Sequence, residues 1–191
     1  MRPPPCLALA TLLCPVACGR DHPAPGGRAA LATVSAVQDT VFAGTMTAVH
    51  RPRPGARPGI LRVTRAVQHP RYDRIVFEFS GDSLPGYHVE YASRPVRRCG
   101  SGDPVSLVGA ARLVVRFEPA QAHDEQGRST VAEREWVPGA GGAPGLPAVK
   151  EMKLVCDFEG QVEWVLGVAA ARPYRVTETG ARLILDVGHG P

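Results

Sequence analysis

The chain has 191 residues, which is enough for one folded domain with a tail, and its formal net charge at neutral pH is +4. Arginine supplies almost all of the positive charge, but acidic residues are interleaved with it, so no continuous basic stripe can follow a phosphate backbone. This distribution argues against binding to nucleic acid. The glycines and prolines concentrate before residue 60 and around residues 138–145, and they separate segments of different character.

The N-terminal segment has the features of an export signal. A basic start precedes an apolar run at residues 6–17, which is shorter than the ~20 residues of a membrane-spanning helix. Residues 16–19 have the sequence VACG and resemble a bacterial lipobox, at which the signal is removed before a cysteine that carries a diacylglycerol group. Pro15 departs from that motif. We predict a signal peptide at 1–17 and a lipid anchor on Cys18, with plain secretion or an uncleaved signal as the alternative.

The five cysteines have different fates under this interpretation. Cys6 and Cys14 leave with the signal peptide, and Cys18 is consumed by the lipid. Cys99 and Cys156 remain in an oxidising compartment, where one disulfide between them is expected. The alternative is a pair of buried free thiols. Neither cysteine belongs to a Cys-x-x-Cys motif, so zinc binding and thioredoxin-type chemistry have no local support.

Residues 18–59 are predicted to form a mostly disordered tether. The clearest low-complexity piece, residues 51–59, has the sequence RPRPGARPG. A segment of this composition cannot bury enough apolar surface to fold alone. Residues 31–49 are more apolar and are compatible with an additional strand or a short helix, and the sequence leaves that choice open.

Residues 60–189 show the alternation of apolar and polar side chains that is typical of half-buried strands. In residues 74–80, this period places Ile75, Phe77 and Phe79 on one face. Alternating or shorter apolar runs recur along the rest of the segment, at 61–67, 87–91, 105–108, 112–118, 152–158, 162–168, 174–177 and 182–187.

The strand predicted at 152–158 carries one half of the expected disulfide. Its alternation puts Cys156 on the apolar face beside Leu154 and Phe158. Gly160 then marks a tight hairpin turn into the next strand, and the last two strands form another hairpin. About eight or nine strands without an amphipathic helix predict an all-β fold, an antiparallel β-sandwich, with a small barrel as the alternative.

Three stretches of this β segment go beyond the general pattern. They are residues 69–81 (HPRYDRIVFEFSG), residues 85–91 (PGYHVEY), and a C-terminal set from 157–160 (DFEG) through Trp164 to 182–187 (RLILDV). Together they resemble the AMIN-like domain of bacterial envelope lipoproteins, a relative of the AMIN domain found beside cell-wall amidases. The resemblance implies two facing sheets and, by analogy, association with peptidoglycan or other envelope components. It implies no activity.

Exposed arginines are the leading candidates for contact with a ligand. Arg94, Arg97 and Arg98 lie in a predicted loop beside Cys99. A disulfide would hold these guanidinium groups in place, and the carboxylates and phosphates of wall polymers suit their fork of donors.

Aromatic side chains are the second class of candidate, because they stack on sugar rings. Tyr87, Tyr91 and Trp164 fall on apolar strand faces and are assigned to the core. Trp136 lies in the stretch 120–148, which we predict to be a mobile surface loop. Trp136 is therefore the aromatic residue that we expect to be exposed and able to bind a glycan.

Known motifs of enzymes and metal sites are absent from the sequence. It contains no Gly-x-Ser-x-Gly, His-Glu-x-x-His or Ser-x-x-Lys motif and no glycine-rich phosphate loop after a strand. His88 and Glu90 share a strand face, but these two side chains alone do not make a metal site, and a solvent-facing polar row explains them more simply. We therefore predict no metal, no cofactor and no catalytic activity.

These observations predict an exported, non-catalytic module of the cell envelope. It is expected at the extracytoplasmic face of the membrane through Cys18, or in secreted form, and it is expected to bind peptidoglycan or an anionic wall polymer. One alternative is a structural accessory lipoprotein that contacts envelope proteins. Another is a small-ligand carrier, which requires an apolar cavity between the sheets, or an unrecognised enzyme.

Overall fold

The structure is a computed structural model that describes residues 42–137 and 145–190. The predicted signal peptide at 1–17 and the predicted lipid anchor at Cys18 lie outside the described residues. Within them the chain forms eleven strands and no helix. The described residues therefore contain no helix that could span a membrane. The all-β prediction is confirmed.

The strands form two sheets that are antiparallel except for one short parallel pair. In chain order the strands are β1 (Val49–Arg51), β2 (Gly59–Gln68), β3 (Tyr72–Phe79), β4 (Gly86–Tyr91), β5 (Ala111–Glu118), β6 (Ala120–Gln121), β7 (Glu135–Trp136), β8 (Val149–Phe158), β9 (Gln161–Val168), β10 (Tyr174–Thr179) and β11 (Arg182–Gly188). The six-stranded sheet has the order β1-β4-β5-β9-β8-β7, and the five-stranded sheet has the order β10-β11-β3-β2-β6. The parallel pair is β2 with β6.

The inner faces of the two sheets pack around one main core. Ile75, Phe77 and Phe79 of β3 are almost fully buried, as their alternation predicted. Across the sandwich, the ring centre of Phe77 lies 5.2 Å from that of Phe117 and 6.1 Å from that of Trp164. These rings occupy the space between the two sheets, so the β-sandwich is confirmed. The same rings fill the central region in which a small-ligand carrier would need a cavity.

A β-bulge in β8 changes the face on which the disulfide lies. The register with β9 shifts between Leu154 and Cys156, so Leu154 lies opposite Trp164 whereas Cys156 lies opposite Glu163. Residues that lie directly opposite in an antiparallel pair share a face, and successive residues alternate. Leu154 therefore points into the main core with Trp164, and Cys156 points to the other side. The prediction that Leu154 and Cys156 share the apolar face is wrong, because the extra residue of the bulge breaks the alternation.

The described part of the predicted tether is folded onto the sandwich. The edge strand β1 pairs with β4, and Thr45 exchanges two backbone hydrogen bonds of 2.8 Å with Tyr174. After β1, the guanidinium of Arg53 donates to the carbonyl of Leu84 at 2.6 Å and to the carboxylate of Glu178 at 2.5 Å. The composition of the segment did not predict this strand, because contacts with β4 and β10 hold the strand in place and its own side chains are mostly not apolar.

The stretch 120–148 is partly built into the core. Ala120, Ala122 and Val131 are buried in the main cluster, and β6 and β7 belong to this stretch. Residues 138–144 lie outside the described residues. The prediction of a mobile surface loop is therefore wrong for the part of this stretch that precedes them, since several of its small apolar side chains are buried in the core.

A buried carboxylate fixes the far end of the same stretch. Asp73 in β3 is fully buried, and its Oδ2 accepts the backbone N–H groups of Ala148 and Val149 at 2.7 and 2.8 Å. Its Oδ1 lies 2.7 Å from Nε2 of His189. One side chain of the 69–81 motif thus joins the start of β8 and the end of β11 to β3.

Candidate binding face on the six-stranded sheet

The outer face of the six-stranded sheet is the face turned away from the main core, and a polar row crosses it. Directly opposed residues on successive strands form this row, namely His50, His88, Arg116, Glu163 and Cys156. Nε of Arg116 donates to Oε2 of Glu163 at 2.8 Å. Glu163 is nearly buried, and Arg116 compensates its negative charge at the centre of the row.

A long connection between β4 and β5 covers the outer face next to this row. We call residues 92–110 the arginine loop. Val96 and Leu107 of this loop pack on Val114, Val155 and Val165 and form a second, smaller apolar cluster. This cluster explains why residues 105–108 were wrongly predicted as a strand: their apolar side chains are buried by a loop that lies flat on the sheet, without a place in its hydrogen-bonded ladder.

Covalent and polar contacts fix the arginine loop to the sheet. Cys99 and Cys156 form a disulfide, as predicted, with a Cα–Cα distance of 5.1 Å. At the other end of the loop, the guanidinium of Arg112 donates to the carbonyls of Leu107 and Gly109 at 2.8 and 2.7 Å. The exposed residues of the loop are therefore presented from a fixed backbone.

The three predicted arginines lie on this loop with few acidic partners. Arg97 donates to the carbonyl of Gly102 at 2.9 Å, within the loop itself. Nη2 of Arg98 lies 3.7 Å from Oε1 of Glu135 on β7, and about half of each side chain is exposed. Within residues 42–137 and 145–190, neither Arg94 nor Arg97 forms an ion pair. The loop therefore presents guanidinium donors that are free to bind carboxylates or phosphates.

Trp136 lies apart from the arginines. It sits in the edge strand β7 opposite Met152, is half-buried, and packs against the main core. Its neighbour Glu135 lies opposite Lys153 and is the residue of β7 that approaches Arg98. The expectation of an exposed Trp136 in a loop is wrong, because pairing of β7 with β8 turns the indole inward. Trp136 and the arginine loop are not brought together.

A groove of about 680 Å³ opens at the other end of the polar row, and it was not predicted from the sequence. It is lined by residues of β1, β4 and β5 and by the segment that follows β1, among them His50, His88 and Arg116. His50 was assigned to the tether, so nothing indicated that it lies beside His88. In the sequence, only the spacing of two between His88 and Glu90 had marked a residue of this groove as a possible ligand.

A hydrogen-bonded network lies beside the groove, whose lining includes Tyr87 and Arg53. The hydroxyl of Tyr87 donates to Oε1 of Glu178 at 2.8 Å. Burial, together with this hydrogen bond, raises the pKa of Tyr87 to about 12. Burial also acts to raise the pKa of Glu178, but the hydrogen bonds from Tyr87 and Arg53 outweigh it and lower that pKa. Glu178 is therefore ionised and engaged, and Arg53 has a structural partner.

Comparison with known proteins gives one finding about the family. A family model described as AMIN-like domain matches residues 60–189, which is more than half of the chain. Comparison with curated proteins and comparison with solved structures give no match. The matched range includes the arginine loop and both half-cystines, and it begins after β1.

Proposed function

Because the chain belongs to the AMIN-like domain family, we propose that it is a non-catalytic cell-envelope module that binds peptidoglycan or another anionic wall polymer. The family makes the chain a cell-envelope-related module, and the choice of ligand is our proposal. We place the contact on the arginine loop, residues 92–110. In the same proposal the protein is exported and held at the membrane by a lipid on Cys18.

The observation that carries this proposal is the fixed presentation of guanidinium groups, of which, among the described residues, only that of Arg98 has a carboxylate partner, at 3.7 Å. Arg97 and Arg98 directly precede the disulfide residue Cys99, and Arg94 lies on the same loop. A side chain that is already positioned loses less conformational entropy on binding than one on a free chain. Guanidinium groups form bidentate hydrogen bonds with the carboxylates and phosphates that wall polymers carry.

Sedimentation of the full-length chain with purified sacculi at low salt tests the proposal. The double variant Arg97→Ala and Arg98→Ala is expected to weaken binding by at least tenfold, since one hydrogen bond to a charged group contributes about 1.5–3 kcal/mol. Binding of the unaltered chain is expected to fall as salt is raised. The full chain is needed, because a fragment that starts at residue 61 would lack β1.

A matched control comes from the other sheet. The double variant Arg65→Ala and Arg182→Ala removes the same charge from the outer face of the five-stranded sheet and is expected to bind as the unaltered chain does. Equal losses in the two double variants would contradict a specific role for the arginine loop. If the unaltered chain does not sediment with sacculi at low salt, wall binding is wrong, and the accessory lipoprotein that contacts envelope proteins becomes the better proposal.

The lipid anchor has a separate test. Labelling with a radioactive fatty acid in bacteria is expected for the unaltered chain and is expected to disappear in the Cys18→Ser variant. Labelling that is unchanged in this variant would refute the assignment of Cys18. The lipid carries two acyl chains, and each buried CH₂ group contributes about 0.8 kcal/mol to membrane binding, so the Cys18→Ser protein should also leave the membrane fraction.

A further inference from the structure

The edge strand β1 brings a histidine from outside the matched family range beside a histidine of β4. His50 and His88 lie directly opposite each other in the antiparallel pair. Their Nδ1 atoms are 3.1 Å apart, and the ring centres are 5.2 Å apart. Two imidazole nitrogens at this distance can share one proton, or they can bind one metal ion between them.

We propose that His50 and His88 form a binding site for a divalent transition metal ion such as Zn²⁺. Metal–nitrogen bonds of about 2.0–2.1 Å to both Nδ1 atoms would enclose an angle of about 95–100° at the observed separation. This angle lies between the right angle of square-planar and octahedral coordination and the tetrahedral angle. The two rings therefore already stand at the separation that a shared metal ion requires.

Glu90 prepares His88 for this role. Oε1 of Glu90 lies 3.2 Å from Nε2 of His88, on the side of the ring away from the shared Nδ1 position. The carboxylate favours the tautomer that carries its proton on Nε2, which leaves the Nδ1 lone pair of a neutral ring directed at His50. Metal-binding histidines are commonly oriented by a carboxylate in this way. His50 then needs only to move its proton from Nδ1 to Nε2.

The strand that carries His50 is held on both sides of the site. Before β1, the hydroxyl of Tyr174 donates to the carbonyl of Thr47 at 2.7 Å, next to the backbone pair of Thr45 with Tyr174. After β1, Arg53 is bound to Leu84 and Glu178. A short edge strand would otherwise fray, so these contacts keep the two histidines at their separation.

The remaining coordination positions face the groove. Among the described residues, no group of three His, Cys, Asp or Glu side chains is placed to hold a metal ion. The protein therefore supplies two ligands, and water or an oxygen of a bound molecule completes the coordination. Arg116, which lies opposite His88 on β5, would stand beside an anionic ligand at these positions. The site is independent of the proposed wall contact on the arginine loop.

Calorimetric titration with Zn²⁺ tests this inference. The protein is the full-length chain without a tag, with Cys6, Cys14 and Cys18 replaced by serine so that free thiols do not compete for the ion. One Zn²⁺ per chain is expected to bind at this site. His50→Ala and His88→Ala are each expected to weaken its binding by at least tenfold, and Cu²⁺ is expected to bind more tightly than Zn²⁺.

Two controls locate the ion. His69→Ala removes a histidine of the connection between β2 and β3 and is expected to leave the affinity unchanged. Paramagnetic Cu²⁺ is expected to broaden amide NMR signals first in residues 49–51 and 87–90. Equal affinity in the unaltered, His50→Ala and His88→Ala proteins, or broadening confined to other residues, would overturn the inference. Far-ultraviolet circular dichroism of each variant separates loss of the site from loss of the fold.

Discussion

The outer face of the five-stranded sheet and the arginine loop on the six-stranded sheet use arginine in opposite ways. On the five-stranded sheet, Asp186 lies between Arg74 and Arg175, with nitrogen–oxygen distances of 2.7 and 2.8 Å. Glu78 on the same face lies between two other arginines, at 2.9 Å from each. On the six-stranded sheet, the arginine loop carries guanidinium groups whose nearest carboxylate partner is at 3.7 Å.

The difference separates structural arginines from available ones. An arginine that already shares a carboxylate must exchange one partner for another when it meets an anion, so it gains little affinity. Arg94 and Arg97 need no such exchange, and Arg98 gives up only a long contact with the exposed Glu135. Both sheets carry arginines, and the pairing of their charges favours the arginine loop as the binding surface.

The largest expected effect comes from removing the disulfide that fixes the arginine loop. The bond links residues separated by 57 positions, so its loss gives the unfolded chain additional entropy worth roughly 4 kcal/mol. The variant Cys99→Ser with Cys156→Ser is expected to lose about that much unfolding free energy in urea titrations. Its affinity for sacculi is expected to fall even where the protein is still folded. Retention of full affinity would show that the loop binds without being fixed.

The paired face is expected to respond through stability instead. Asp186 is almost fully buried and compensates two arginines, so Asp186→Ala is expected to lower the free energy of unfolding by about 3 kcal/mol. Urea titration measures this loss, and sacculus sedimentation of the folded variant is expected to be unchanged. Glu78→Ala is the control, with a much smaller loss because Glu78 is only partly buried. A loss of wall binding in Asp186→Ala would place part of the contact on the five-stranded sheet.

The same carboxylate predicts how stability depends on pH. Burial acts to raise the pKa of Asp186, but the hydrogen bonds from Arg74 and Arg175 outweigh it and hold the pKa below its ordinary value of 3.8. The ionised group therefore stabilises the fold above that value, and its contribution disappears as the pH falls through the lower folded-state pKa. Between about pH 6 and about pH 3, the unaltered protein is expected to lose more unfolding free energy than Asp186→Asn. Equal losses in urea titrations would contradict this assignment.

The smallest expected effect is an increase in affinity. Glu135 is the carboxylate nearest to Arg98, and exposed pairs of this kind contribute about 0.2–1 kcal/mol. Glu135→Ala is therefore expected to strengthen sedimentation with sacculi about two- to threefold, since Arg98 is released and a negative charge is removed. Glu125→Ala, in the turn after β6, is the matched control. Weaker binding of Glu135→Ala would mean that Glu135 itself contacts the ligand.

The sequence predicted those parts of the fold that follow from local periodicity. Phe77 and Phe79 could be assigned to the core because one face of a half-buried strand alternates with the other. The hairpin at Glu159 and Gly160 could be assigned because a residue pair ending in glycine joins two alternating runs, and in the structure both residues have the positive φ of a tight turn, 49° and 77°. The existence of these elements depends only on neighbours in the chain.

Contacts between distant segments could not be predicted in this way. The bulge before Cys156 is a property of the pairing between two strands, and a single sequence does not reveal it. His50 lies opposite His88 because β1 adds to the edge of β4, and neither residue carries a local sign of that pairing. The sequence predicted that the candidate arginines lie on a disulfide-bonded loop. It could not predict that few carboxylates lie around them.

The pairing of β1 also limits how far the module can reach from a membrane. For a chain that is anchored at Cys18, a tether that ended at residue 59 would allow a fully extended length of roughly 135–150 Å. Because the segment around Thr45 already contacts β10, the free length ends near Phe42, and the same estimate gives roughly 80–85 Å. The anchored protein would therefore keep Phe42 within this distance of the membrane, and only the folded domain itself could reach a wall layer that lies farther away.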